Sequence, residues 1–277
     1  MVPEPASPKA PLPEPAPVAA AAGRRLSSVT AALRLLKALA REPGAHGITA
    51  LARELRLAKS TVHRLASTLV AEGFVEQDAV DGRYRLGLVL FGLGTTVRRR
   101  MNVSVEAKPV LDALRDATGE TVHLAVLTEA DIIYLYKLAG THAVGPRTWL
   151  GMRRPAHCTA EGRVLLAHAP LALRQRVAGA GLHALTARTE TDLARWTRAL
   201  EAARLAGHAV DEGECEDDTR TVAAPVFDAQ GSAVAAVGVT APGSRLTRKA
   251  LRALVPAVEQ AACEISRRMG WQPDGPP

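Results

Sequence analysis

Aromatic side chains are scarce. Phe, Trp and Tyr occur three times each in 277 residues, too few to build large stacking walls, so any bound small molecule is expected to be small and polar. Cysteine is equally sparse. Cys158, Cys215 and Cys263 stand far apart with no Cys-x-x-Cys pair, so neither a disulfide framework nor a metal site is expected. No apolar run approaches the roughly 18 residues that a spanning helix needs. The first 22 residues, almost all Pro, Ala, Glu and Val, lack the charged stretch and apolar block of a secretion signal. Residues 1–23 are therefore expected to be a disordered tail, 271–277 a second short tail, and the chain cytoplasmic with no membrane partner. There is no glycine-rich phosphate loop and no assembled nucleophile, base and orienting group, so neither an enzyme nor a cofactor is expected.

What is present is 47% hydrophobic residues, enough for two cores in a chain longer than one typical domain. The most informative run is Ile48 to Leu86. Ile48, Leu51, Ala52 and Leu55 recur at helical spacing, with Thr49 the expected N-cap. Arg56 and Leu57 make a tight connection to a second helix, about Lys59 to Glu72, which buries Val62, Leu65, Ala66 and Leu69. Lys59, Ser60, Thr61, His63, Arg64 and Ser67 are left on its other sides. Hydroxyls, an imidazole and a guanidinium near a helix start can donate and accept at base edges in a major groove. After Gly73, Phe74 to Gln77 reads as a strand, Asp81-Gly82 as a hairpin turn and Arg83 to Leu86 as the returning strand. The period of two puts Arg83 and Arg85 on one face, able to reach phosphates, and Tyr84 and Leu86 on the core side. An upstream helix, Ser28 to about Arg41, closes this small core with Ala31, Leu35, Ala38 and Leu39.

Charge separates such a helix-turn-helix with a wing from a helix pair that merely presents a solvated face. Residues 24–100 hold 14 Lys and Arg against 6 Asp and Glu, whereas 101–277 hold 20 of each sign. All of the basicity therefore sits on the winged segment, the electrostatic footprint of a duplex binder joined to a neutral second domain. Double-stranded DNA is the expected partner. Domains are expected at 24–86 (winged helix-turn-helix), 87–103 (a linker helix whose apolar residues need a cover, such as a second subunit) and 104–270.

In the third segment a helix over Ser104 to Ala117 carries Val110, Leu111 and Leu114 and ends at Gly119, with Pro109 marking a kink or a later start. Strands are expected at Val122 to Leu127 and Ile132 to Lys137. Helices are expected at Thr159 to His168, Leu171 to Val177 and Glu190 to Ala206, the last closed by Gly207. A strand pair at Val222 to Phe227 and Ala233 to Thr240 precedes a final helix capped by Thr247 and running to about Met269. Hairpins with helices before, between and after them give an α+β domain built on a mixed sheet.

Three blocks then carry a resemblance. The winged segment, the run Gly151-Met152-Arg153-Arg154-Pro155-Ala156-His157-Cys158-Thr159-Ala160-Glu161-Gly162-Arg163-Val164-Leu165-Leu166-Ala167, and Gly207 to Glu212 running into Val222 to Asp228 together resemble the IclR family of bacterial transcriptional regulators, over about residues 26 to 269. That resemblance implies a winged helix-turn-helix, a linker helix, a GAF-like domain that binds a small-molecule effector, and a homodimer or dimer of dimers. It further implies that backbone amides near Ala160 and Glu161, at a helix start, hold an anionic or carbonyl oxygen. Asp211 accepts from a ligand hydroxyl or amine on the same pattern, and Thr221, Gly238 and Thr240 line the sheet side. Thr221 stands where relatives often carry Cys and Gly238 where some carry Ser, while Glu161 sets a carboxylate beside the anion cradle.

Other readings compete locally. His157 beside Cys158 has the residue types of a nucleophilic pair, but neighbours on an extended segment point apart, so a His bonded to backbone is expected. Cys158 and Cys215 would flank the pocket and form a redox pair, against the commoner role of buried apolar thiols. The acidic run Glu212, Glu214, Glu216, Asp217 and Asp218 does not follow a calcium-loop spacing and reads as a flexible, solvated loop at the pocket mouth. The function expected is a ligand-responsive transcriptional regulator, repressor ahead of activator. The alternative is an architectural DNA-binding protein whose second domain only oligomerises.

Overall fold

The computed structural model describes residues 27–41, 44–99 and 102–272. The 1–23 tail, the arginine side chains at 98–100 and the last five residues of the chain lie outside the described residues. The chain divides into two compact units, residues 1–92 and 93–277.

The first unit holds α1 (Ser27–Leu39), α2 (Ile48–Leu55), α3 (Lys59–Ala71), β1 (Val75–Gln77) and β2 (Tyr84–Leu86). Leu35, Ala38, Leu39, Leu51, Ala52, Leu55, Val62, Ala66, Val75 and Tyr84 form its core. Fully burying each large aliphatic side chain stabilises by about 1.5–3 kcal/mol. Thr49 is not the N-cap of α2: the helix starts one residue earlier, with Gly47 at the cap and no side-chain bond there. The α2–α3 turn is closed by Arg56 in the left-handed region, φ 55°, whose N–H reaches the Ala52 and Arg53 carbonyls. In the wing, Glu76 faces Arg85 and Gln77 faces Tyr84. The turn is held by the Asp78 carboxylate, which accepts from the Val80 and Asp81 N–H groups.

The linker is shorter than expected. It is α4 (Leu88–Arg99), and α5 (Asn102–Thr118) already belongs to the second unit, with Val103 in that unit's core. On α4, Leu88 and Phe91 are 78% and 70% exposed. Pro109 neither delays nor ends α5. The carbonyl left without its N–H partner belongs to Val105, whose side chain lies on the exposed side of the helix.

The second unit continues with β3 (Thr121–Thr128), β4 (Asp131–Leu138), β5 (Arg153–Pro155), α6 (Ala160–His168), α7 (Leu171–Gly179), α8 (Leu193–Ala206), β6 (Ala209–Asp211), β7 (Thr219–Phe227), β8 (Ala233–Pro242) and α9 (Arg248–Arg268). The sheet order is β5-β4-β3-β8-β7-β6. The α+β class stands, but the sheet expected as mixed is antiparallel at every pairing. Strands β5 and β6 escape the sequence because three residues at a sheet edge show no alternation. Along β3, β7 and β8 alternate residues go to opposite faces. Val122, Val222, Val237 and Val239 pack under α5 and α9, while Ala125, Ala223 and Ala236 pack under α6 and α8. The end of the chain is not wholly a tail, since Trp271 stacks on Phe227 with ring centroids 5.1 Å apart.

Candidate effector pocket and DNA-reading surface

On α3 the six polar residues singled out from the sequence, Lys59, Ser60, Thr61, His63, Arg64 and Ser67, are all exposed, while Val62 and Ala66 anchor the opposite side. The Ser67 hydroxyl donates to the His63 carbonyl of its own helix at 2.9 Å, which leaves it only acceptor capacity outward. Arg83 and Arg85 are likewise exposed but not free. Arg85 Nε donates to Glu76 at 2.9 Å across the wing, and Arg83 lies 3.4 Å from Asp81. Such exposed pairs are weak, and a phosphate can displace them.

In the second unit the pairing of β6, β7, β8 and β3 sets Asp211, Thr221, Thr240 and Thr121 in one row across the sheet. The next row is Ala223, Gly238 and His123. Helix α6 begins over these rows. Thr159 caps it, accepting from the Gly162 N–H, and the first turn lowers the Glu161 side chain onto Gly238. The result is a small cavity of about 20 Å3 with Tyr134, Thr148, Arg154, Thr159, Glu161, Asp211, Cys215, Thr221 and Thr240 in its wall.

Of the effector residues expected from the sequence, Glu161, Asp211, Thr221 and Thr240 therefore meet. Ala160 and Gly238 do not line the cavity: Ala160 is packed in the core beneath α6, and Gly238 lies under Glu161. The anion cradle is also corrected. Glu161 turns inward, is 1% exposed, and its carboxyl accepts from its own backbone N–H. Burial, with the nearby Asp211 charge, pushes the Glu161 carboxyl up to about 7. Burial likewise raises Asp211 to about 6, against the opposing effect of the Glu214 N–H that it accepts at 2.7 Å.

His123 is the main residue that sequence reasoning missed. Its Nε2 is 2.8 Å from the Thr148 hydroxyl and its Nδ1 3.4 Å from that of Thr240, which in turn meets Thr221 at 2.9 Å. Burial and the Lys137 charge lower its pKa to about 3, so the ring is neutral and its 3.9 Å approach to Glu161 is no ion pair. Lys137 Nζ donates to the Thr148 and Pro146 carbonyls, so the segment after β4 is fastened over the cavity. The only available signal was a polar His at the core-facing phase of an otherwise apolar strand.

The acidic run is solvated only in part: Asp217 and Asp218 are exposed, whereas Glu212, Glu214 and Glu216 are half-buried. Glu214 pairs with the buried Arg163, Glu216 with Arg154 at 2.9 Å, Glu212 with Arg248 at 2.6 Å, and Asp217 with Arg188 at 3.6 Å. His157 is bonded to backbone as expected, 3.0 Å from the His183 carbonyl. Cys215, in the wall, meets the buried Cys158 thiol, and that contact together with burial pushes the Cys215 pKa upward. A redox-reactive thiol needs the opposite shift.

Comparison with known proteins matches the IclR helix-turn-helix domain to residues 28–79 and the bacterial transcriptional regulator IclR C-terminal domain to residues 95–267. The glycerol operon regulatory protein of Streptomyces coelicolor is 35% identical over 249 residues, covering 89% of this chain and 98% of the relative. The transcriptional repressor IclR of Escherichia coli is 30% identical over 260 residues, covering 93% and 95%. Among solved structures, an IclR homolog from Microbacterium hydrocarbonoxydans complexed with 4-hydroxybenzoate superposes with TM-score 0.76 at 26% identity, covering 88% of this chain and 99% of that one. A winged unit with an exposed polar α3 face, a helix-flanked antiparallel sheet, and matches to both family models across most of the chain agree: this protein is a DNA-binding transcriptional regulator, not an enzyme, and belongs to the IclR family.

Proposed function

We propose that this regulator is an effector-responsive repressor. Its DNA-reading residues are Lys59, Ser60, Thr61, His63, Arg64 and Ser67 on α3, with Arg83 and Arg85 of the wing on phosphates. Its effector site is the cavity beneath the start of α6. The observation that carries this reading is the convergence of four buried polar residues, Glu161, Asp211, Thr221 and Thr240, from four separate elements, on one cavity. A cavity on which a few polar side chains converge is where a small molecule is expected to bind. Relatives named as a repressor and as the regulator of a glycerol operon, and the homolog holding 4-hydroxybenzoate, support the same reading. An effector that binds two conformations of the second unit unequally shifts the DNA affinity of the first. The exposed Leu88, Phe91 and Leu93 of α4 support a second copy of the chain as their cover, hence a homodimer.

Two experiments test the two halves. Arg64→Ala is expected to weaken binding to the operator by about 1–3 kcal/mol while leaving random duplex nearly unaffected. An equal loss on both duplexes, in electrophoretic titrations, assigns Arg64 to a phosphate instead. For the pocket, Asp211→Asn keeps the size of a side chain that the 212–215 turn requires. It is expected to raise the effector concentration that releases operator DNA at least tenfold while leaving effector-free affinity unchanged. Release at the normal concentration in footprinting removes Asp211 from the site.

A further inference from the structure

The charges around the cavity specify a ligand class. Two carboxyls turn into it, Glu161 at 1% and Asp211 at 3% exposure. One oxygen of Glu161, Oε1, is buried and has no hydrogen-bond partner among the described residues. An unsatisfied buried acceptor is costly, and it calls for a donor. The space that the carboxyl occupies exists because residue 238 is glycine: a Cβ there would lie 2.4 Å from Oε1. Glu161 is thus a fitted part of the floor and not a side chain swung in from solvent.

Positive charge that could meet an anion is already engaged. Arg154, in the wall, is held by Glu216 at 2.9 Å. Arg163 donates to Glu214 and, at 3.0 Å, to the Val210 carbonyl; its Nε has no partner among the described residues, but the residue lies outside the cavity wall. Lys137 donates to two backbone carbonyls, and His123 is neutral. Among the described residues no cation in the cavity wall lacks a partner, so a carboxylate entering here would face an ionised Asp211 and, above about pH 7, an ionised Glu161, like charges that repel in a poorly solvated site.

Resting on the pocket assignment made above, we propose that the effector is a small neutral polyol, its hydroxyls donating to Glu161 and Asp211 and accepting from Thr221 and Thr240. An ammonium fits less well, because it donates only, whereas the Thr221, Thr240 and Tyr134 hydroxyls have protons to give as well as lone pairs. A hydroxyl does both. At about 20 Å3 the cavity holds no more than one water, so a polyol needs the covering segment that Thr148 and Lys137 fasten to shift outward. In this selectivity the protein departs from the homolog that holds the carboxylate 4-hydroxybenzoate.

The test is calorimetric titration of the full-length protein with glycerol, erythritol and xylitol, with ethanolamine as the cationic probe and pyruvate and 4-hydroxybenzoate as the anionic ones. At least one polyol is expected to bind, with affinity about tenfold lower in Glu161→Gln and in Thr240→Val, two near-isosteric variants that keep the fold. Neither carboxylate is expected to bind the wild-type chain. Carboxylate binding that Thr240→Val weakens overturns the ligand class and leaves the pocket standing. Polyol binding that both variants leave unchanged puts the ligand elsewhere and overturns both readings. Tighter binding of ethanolamine than of any polyol, or no binding by any polyol, also overturns the proposal.

Discussion

Glu161→Gln is expected to stabilise the second unit above neutral pH and to flatten its stability between pH 4.5 and 7. In the folded chain burial raises the carboxyl from 4.5 to about 7. Below 4.5 the group is protonated in both the folded and unfolded states and contributes nothing to pH dependence. Between the two values the unfolded chain ionises first, so it holds fewer protons than the folded chain, and stability falls as pH rises. Above about 7 the whole penalty is present. At about 1.4 kcal/mol for each tenfold change, its ceiling is about 3 kcal/mol. A neutral amide avoids it, so the variant's melting temperature at pH 8 should exceed that of the wild type by about 5–10 °C, with little difference at pH 4.5. Asp211, raised to about 6, leaves a smaller slope of the same sign in both proteins. Trp149, Trp196 and Trp271 all lie in the second unit, so tryptophan fluorescence reports its unfolding alone. Equal melting temperatures at pH 8 would show that Glu161 is not buried in the charged-disfavouring position described.

The second large effect is expected at Gly162. In an exposed helix, alanine stabilises relative to glycine by about 1 kcal/mol. Here a Cβ would lie 2.2 Å from the Ala156 carbonyl oxygen and 2.4 Å from the Ala156 Cα. These are backbone atoms of the 3-10 turn Ala156–Cys158 and cannot rotate away. Gly162→Ala is therefore expected to cost more than about 3 kcal/mol, at or beyond the upper end of overpacking penalties. It should also loosen the start of α6 that positions Glu161. Gly94→Ala on α4, where a Cβ meets nothing within 4 Å, is the control. Urea unfolding followed by tryptophan fluorescence decides: a Gly162→Ala chain as stable as the wild type would mean that α6 and the turn are not packed backbone to backbone.

Much of the architecture was legible because its signals are local. Thr247 caps α9 as expected, accepting from the Ala250 N–H three residues on, and Gly207 ends α8 at φ 75°; α8 itself starts at Leu193 with Asp192 as its cap, later than the Glu190 expected. The Asp81-Gly82 turn and the alternation from Arg83 to Leu86 set the wing. The exposure of six polar residues on α3 likewise follows from helical spacing alone. Where such signals were absent the sequence misled. Thr49 has the chemistry of a cap but follows Gly47, whose extended backbone, φ −75° and ψ 143°, already starts α2. The acidic run looked solvated because its partners, Arg154, Arg163, Arg188 and Arg248, all lie 29 or more residues away along the chain.

The sequence by itself determined the two-unit organisation, the winged helix-turn-helix, the placing of the basic charge on it, and the family. Spacing, capping and local charge suffice for these, since each is decided within a few turns or strands of chain. Only the tertiary structure decided the character of the pocket. Strand register sets Asp211, Thr221 and Thr240 side by side, brings His123 next to them from 88 or more residues away, and leaves the space over Gly238 that Glu161 fills. Whether a carboxylate is a solvated surface group or a buried acid near pH 7 depends on which atoms exclude water from it, and those atoms come from four distant segments of the chain.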